Sequence, residues 1–467
     1  MLRNSWRDVG ESMNCAGLRT IRAAARIGIV LCCALAFGLS ACGQDVIPVL
    51  TSEHGANGAE QLNAHYVILV SLDGFRYDYA EKYHAENIRA TGAAGAAARE
   101  GMIPAYPSLT FPNHYTLATG LYPEHHGIVA NNFYDAARKQ TYRLGDPATV
   151  TDGSWYGGTP IWVLAEQQGM RAACFFWPGS DAEIQGTRPS YYVKYDDKVP
   201  DDTRVQQVLA WLRLPAERRP HLITVYFADV DHAGHEYGPE SEEVRAAVQV
   251  VDRAIGMLRA GVAKLNLPVD VIVVSDHGMA KVQGEWITLD KYFADGGAFE
   301  KIVGSSLYAK SDADAERVYE GLKGKSDRFE VYRRAQMPGS LHADGNARMG
   351  DPVVVTNGPY LVRFSAPREQ AGPSTMASGG TAAARHDEVG AHGFDPARVP
   401  EMKASFFAAG PGICGGVTVA PFENVNVYPL VAKLLGLDIS HLKTGAIDGD
   451  LRVLAPILKT NGCGKVN

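Results

Sequence analysis

Four β-rich runs constrain this chain more than any other feature: "HYVILVSLDG" (65–74), "HLITVYFADVD" (221–231), "VDVIVVSDHG" (269–278) and "MKASFFAAG" (402–410). Their centres are continuous apolar stretches, the pattern of strands covered on both faces. Helical patterns lie between them, among them "TRVQQVLAWLRL" (203–214), "SEEVRAAVQVVDRAIGMLRAGVAKL" (241–265) and "VYPLVAKLLGL" (427–437). Strands alternating with helices predict an α/β fold, with a mostly parallel sheet and helices on both faces. Ligands then gather at the carboxyl ends of the strands.

Those strand ends carry metal-ligand residue types. The first run ends at Asp73 and the third at Asp276 and His277; the second passes into "DVDHAGHEYGP", where Asp231 and His235 stand one helical turn apart. "AHGFDP" adds His392 from a loop. Singly, each Asp reads as a cap or turn residue and each His as a satisfied polar residue. Three Asp and three His converging on one sheet edge make two sets of three, a nitrogen and oxygen mixture that suits zinc better than magnesium or calcium. "SLTFPNHYTLATG" (108–120) poses a related question. Pro112 suits the first helical position and Gly120 the left-handed position past the end, which leaves the Thr110 hydroxyl either to cap the helix or to do chemistry.

The N-terminus predicts export. Arg19, Arg22 and Arg26 precede the apolar run 27–39, which is too short for an ordinary membrane span, and small residues follow. "LSAC" (39–42) resembles the lipobox of bacterial lipoproteins, which implies cleavage before Cys42, acylation of that residue and, with Gly43 after it, a lipid anchor in the outer membrane facing the periplasm. Residues 1–42 are therefore read as a lipoprotein signal peptide, with Met13 an alternative start. Residues 43–64 read as a flexible tether, and 65–467 as the catalytic domain. Of seven cysteines, three lie beyond Cys42: Cys174 in an apolar run, and Cys414 and Cys463 among turn residues, the expected disulfide pair. The formal charge of −7 argues against stable nucleic-acid binding. A monomer is expected.

"VILVSLDGFR", "PSLTFPNHYTLATGLYPEHHGIVAN", "FFWPGSDA", "DVDHAGHEYGPES", "VSDHGM", "AHGFDP" and "PFENVNVYPLVAKLLGL", in this order, resemble the nucleotide pyrophosphatase/phosphodiesterase family of the alkaline phosphatase superfamily, in its bacterial single-domain form. The resemblance implies an alkaline-phosphatase-like fold with a small capping insertion within about 281–391. It implies two Zn²⁺, one held by Asp73, Asp276, His277 and the Thr110 oxygen, the other by Asp231, His235 and His392. His386 is a decoy for the last of these. Thr110 would be the nucleophile of a phospho-threonine mechanism that hydrolyses nucleotide diester and anhydride bonds to nucleoside 5′-monophosphates. Asn113 would donate to a phosphoryl oxygen, and Phe111 with Tyr195 would wall a slot for a nucleobase or another apolar group. A phospholipid-headgroup phosphodiesterase or a phosphomonoesterase of the same superfamily are the alternatives. A monoesterase would want cations beside the nucleophile, where this chain has Phe111, Pro112 and Asn113. His114, His125, His126 and His232 are read as structural or as residues that support the ligands without being ligands.

Overall fold

The computed structural model describes residues 47–364, 389–440, 442 and 444–463. Residues 47 onward form one compact unit. Cys42 and His386 lie outside the described residues.

A nine-stranded sheet organises the unit. In chain order its strands are β1 (Leu50–Thr51), β2 (Tyr66–Leu72), β3 (Ala96–Ala97), β4 (Ala172–Phe175), β5 (Tyr191–Val193), β6 (Leu222–Phe227), β7 (Val269–Val274), β8 (Phe406–Ala409) and β9 (Val417–Thr418). They lie side by side as β1-β5-β4-β6-β2-β7-β8-β3-β9. The central five, β5 to β7, are parallel, and β1 and β8 flank them antiparallel. The fourth apolar run of the sequence thus enters the sheet reversed, which leaves the sheet mixed.

Burial on both faces explains the continuous apolar strands. Along β2, Val67 and Leu69 enter one core while Tyr66, Ile68, Val70 and Leu72 enter the other, as the two-residue period of a strand requires. Helices α1 (Thr110–Thr119) and α4 (Val427–Leu435) give Leu117, Ala118, Leu430 and Val431 to the first core. Helix α3 (Glu242–Val262) gives Val244, Val248, Val251, Ile255 and Leu258 to the second. These α3 residues recur at spacings of three and four, the stripe of a helix with one buried face.

Beyond β7 the chain builds a lobe around its own apolar core of Ile287, Leu289, Phe299, Leu307, Val318, Leu322, Phe329, Val331 and Phe364. The lobe falls within the stretch expected to hold the capping insertion. The disulfide joins Cys414 to Cys463, with Cα atoms 5.5 Å apart, and Cys174 is a free, buried thiol. One expectation needs correction. From Ile47 on, the expected tether is part of the body: Ile47 and Val49 pack on the second core, and Leu50–Thr51 pairs with Tyr191–Tyr192. Asn57 fastens the next turn, donating to the carbonyls of Ala216 and Arg219 and accepting from Arg171 N.

Candidate active site

The carboxyl ends of β2, β6 and β7 lie side by side, so Asp73, the start of α2 (Asp229–Tyr237) and Asp276 meet in space. Their approach is close enough to require glycine at 74. Its φ is +65°, and a Cβ there would come within 2.9 Å of Asp231 Cα. Gly74 N also donates to Asp276 Oδ1 at 3.2 Å, joining two strand ends.

The three expected histidine ligands are held in one way. Each ring gives its Nδ1–H to a main-chain carbonyl: His235 to Gly390 O at 3.0 Å, His277 to Gly278 O at 2.9 Å and His392 to Ser108 O at 3.0 Å. That fixes the tautomer and aims every Nε2 inward, the arrangement of metal-ligating imidazoles. His277 Nε2 lies 2.9 Å from Asp276 Oδ2 and 3.5 Å from Asp73 Oδ1. His235 and His392 Nε2 lie 3.4 and 3.6 Å from Asp231 Oδ1. The His277 and His392 rings stack with centroids 3.6 Å apart.

The carboxylates supply the complementary observation. Asp73, Asp231 and Asp276 are at most 1 % exposed. Asp73 Oδ1 and both Asp231 oxygens find no hydrogen-bond donor among the described residues. Burial, reinforced by the neighbouring Asp276 and Asp231 charges, pushes the Asp73 carboxyl well up. Burial, with the His277 ring beside it, pushes His392 down to about 3, so its imidazole is neutral near pH 7. Against the cost of burial, the Asp276 carboxylate holds the His277 pKa up, a sign of how much negative charge is buried here. Carboxylate oxygens without a donor, beside the neutral His392 ring, are costly without a cation and suited to one. Two clusters of metal-binding geometry emerge, Asp231 with His277 and His392, and Asp73 with His114 and Asp276. His114 has no nitrogen to spare: Nδ1 faces Thr110 O at 2.8 Å and Nε2 faces Ser71 Oγ at 2.7 Å.

Thr110 is the first residue of α1. Leu109 is the N-cap residue and no side chain caps the helix, so the hydroxyl is not a cap. Thr110 Oγ1 instead faces His277 Nε2 at 3.3 Å, and Thr110 is 3 % exposed. The helix begins two residues before Pro112, whose missing N–H still falls among the unpaired donors of the first turn. Gly120 ends it left-handed at φ 68°.

Asn113 is not where the sequence reading put it. Fully buried, it accepts from Ala105 N and Asn424 Nδ2, and its Nδ2 faces the carbonyls of Ala105, Pro107 and Leu109. The asparagine beside Thr110 and Phe111 is Asn131. Its Oδ1 accepts from Phe111 N at 2.9 Å, and its Nδ2 has no protein partner among the described residues. Phe111 is half-buried, edge-on to Tyr142. Tyr195 packs edge-on to Phe176 and Tyr226, and Tyr226 in turn donates to Asp73 Oδ2 at 2.6 Å.

Residues 67–395 match the sequence profile of the type I phosphodiesterase/nucleotide pyrophosphatase family. The chain belongs to that family. Human ectonucleotide pyrophosphatase/phosphodiesterase family member 1 is 36 % identical over 390 residues, which cover 79 % of this chain and 40 % of the relative. The venom phosphodiesterase CdcPDE of Crotalus durissus collilineatus is 34 % identical over 428 residues, 88 % of this chain and 49 % of the relative. The chain thus matches about half the length of these curated relatives or less. Among solved structures, murine ectonucleotide pyrophosphatase/phosphodiesterase 5 superposes with a TM-score of 0.74 at 27 % identity, covering 84 % of this chain and all of that one. An inactive threonine-to-alanine variant of it, in complex with AMP, superposes equally well. The seven side chains that the family resemblance implies for two metals are gathered at one end of the sheet in this chain.

Proposed function

We propose that this chain hydrolyses phosphodiester and phosphoanhydride bonds of nucleotides, releasing nucleoside 5′-monophosphates, with Thr110 as nucleophile. The observation that carries the reading is the convergence of three Nε2-inward histidines on three buried carboxylates, with the Thr110 hydroxyl at their edge. Family membership and the AMP complex of the murine relative support the substrate class.

Asp73, Asp276, His277 and Thr110 would hold one zinc, and Asp231, His235 and His392 the other. Bound there, zinc would supply Lewis acidity for a hydroxyl that is a poor nucleophile at neutral pH. Thr110 Oγ attacks phosphorus, its proton passing to solvent. The bond from phosphorus to the leaving oxygen breaks, the leaving group departs with a proton taken from solvent, and the nucleoside 5′-phosphoryl group is left on the threonine. Water then splits that ester, returning the hydroxyl and releasing the monophosphate. The N-terminal N–H groups of α1 and the Asn131 amide meet the phosphoryl oxygens where negative charge gathers. Phe111 offers a ring face to a base, with Tyr195 as the opposing wall.

Export belongs to the same proposal, supported by relatives that are an ecto-enzyme and a venom enzyme; lipid anchoring through Cys42 rests on the lipobox-like "LSAC" alone.

The test is purified protein assayed on dinucleotides, nucleoside triphosphates, lysophospholipids and monoesters, with product identified by chromatography. Nucleoside 5′-monophosphate release faster than any other reaction is expected. Faster monoester or lysophospholipid cleavage would overturn the substrate class in favour of the corresponding alternative.

A further inference from the structure

His114 lies one helical turn after Thr110, and its ring touches everything that must be held still around the nucleophile. It is fully buried. Nδ1 lies 2.8 Å from Thr110 O, and a carbonyl only accepts, so Nδ1 carries the hydrogen. The same Nδ1 is 3.3 Å from Asp276 Oδ2. Nε2 faces Ser71 Oγ at 2.7 Å, on the last turn of strand before Asp73. Trp177 and Tyr226 close on the ring edge-to-face, each with centroids 5.2 Å away, so it cannot swing. Trp177 Nε1 also donates to His114 O at 3.1 Å, and Tyr226 is the residue that donates to Asp73 Oδ2.

We propose that His114 is a positioning residue: its Nδ1–H holds the Thr110 carbonyl while the same ring edge lies 3.3 Å from Asp276 Oδ2, so the ring spaces the Asp276 carboxylate from the first turn of α1 and sets the distance between the Thr110 oxygen and its ligand set. The inference rests on the proposed two-metal reading. It goes further by assigning the Asp73–His114–Asp276 cluster as a braced pair of carboxylates, in which the histidine is not itself a ligand. A polar brace of this kind changes metal affinity and turnover when its donor is lost, even where the fold survives.

The experiment separates donor from filler. In His114→Asn the side-chain amide falls close to the position of Nδ1, whereas in His114→Gln it falls nearer Nε2. His114→Phe keeps only volume, and Ser71→Ala removes only the Nε2 partner. For each variant, zinc affinity is read by competition with a chromophoric chelator, kcat and KM on a nucleotide diester are determined, and thermal unfolding gives the fold control. His114→Asn and Ser71→Ala are expected to stay within about tenfold of wild type. His114→Gln and His114→Phe are expected to loosen one of the two zinc ions by about 10- to 100-fold, with kcat falling and KM nearly unchanged. Should His114→Phe not fold, the Asn, Gln and Ser71→Ala comparison decides alone. Equal losses in His114→Asn and His114→Gln, or losses that follow unfolding temperature while both zinc ions bind as in wild type, would overturn the proposal. A wild type that binds two zinc ions but cleaves no diester would overturn the substrate reading, and the zinc affinities of the variants would still decide the role of His114.

Discussion

The Nε2 atoms of His235 and His392 lie 3.1 Å apart although 157 residues separate them in sequence. Each gives its Nδ1–H to a carbonyl, which turns both Nε2 atoms towards one another. With both Asp231 oxygens alongside and without a hydrogen-bond donor among the described residues, the two rings and the carboxylate form a set of the chemistry that holds a divalent cation.

Elemental analysis of the purified protein is therefore expected to find about two zinc per chain. His235→Ala should lose one of them, and exhaustive chelation should abolish activity and lower the unfolding temperature, because it restores the repulsion among buried carboxylates. Full stoichiometry in His235→Ala would exclude that residue as a ligand.

Thr110→Ala distinguishes a nucleophile from a helix-start residue. No side-chain cap is lost, so stability should change by about 1 kcal/mol or less, while diester turnover should fall by several orders of magnitude with the fold and metals retained. Thr110→Ser should keep part of the activity, since it retains the oxygen and loses the methyl that restricts χ1. Steady-state rates with a metal count on each variant check this. Near-normal turnover in Thr110→Ala would refute the mechanism.

Acid sensitivity has a source outside the candidate ligand set. His126 is fully buried, with Nδ1 accepting from Ile128 N and Nε2 paired with Thr116 Oγ1. Burial pushes its pKa down from 6.5 to about 3. Between those values the unfolded chain takes up a proton that the folded chain refuses, so stability falls as pH falls from about 6.5 towards 3, by about 1.4 kcal/mol per pH unit from this group alone. His126→Asn keeps an acceptor for Ile128 N without titrating. Denaturant unfolding across that window should show a shallower acid slope for the variant, by about one proton; identical slopes would remove His126 as the cause.

The parallel centre of the fold, and the meeting of the candidate ligands at one end of it, were legible in the sequence for one physical reason. Strands buried on both faces must be continuously apolar, and a parallel sheet brings their carboxyl ends together, so an Asp or His just after such a run is already placed. Residues outside that logic were not legible. Asn113 and Asn131 both sit in the quoted motif, and only packing decides between them: Asn131, its last residue, reaches Phe111 N from a loop whose sequence has no period. Leu50–Thr51 joins the sheet through main-chain bonds over two residues, too few for side-chain alternation to show. His114 could be seen, but its hydrogen-bonded partner Ser71 and its neighbour Asp276 come from two other segments, so its surroundings appear only when those segments meet.

Lipidation at Cys42 predicts that the mature chain begins there and carries acyl groups. Cys42→Ala should abolish labelling by a fatty acid and leave the signal uncut or cut elsewhere. Intact-mass analysis checks it, and an unmodified N-terminus at another residue in the wild type would rule the anchor out.

The two asparagines give opposite expectations that one pair of variants tests together. Asn113 bonds to Ala105 and Asn424 and lies against two further carbonyls in a fully buried site, so Asn113→Ala strands several polar groups. It should cost about 1–3 kcal/mol or more of stability, and its effect on rate should be secondary to loss of folded protein. Asn131→Ala removes one partner of Phe111 N and an amide with no other protein partner among the described residues, so its structural cost should be about 1 kcal/mol. Its rate cost should be larger, about 10²- to 10³-fold in kcat, because an amide donor beside the nucleophile matters most as charge builds on the phosphoryl oxygens. Unfolding midpoints and kcat on the same preparations separate the two. If Asn113→Ala folds as well as wild type yet turns over as poorly as the Thr110 variant, the phosphoryl contact belongs to Asn113 after all, and the buried network around it must open during the reaction.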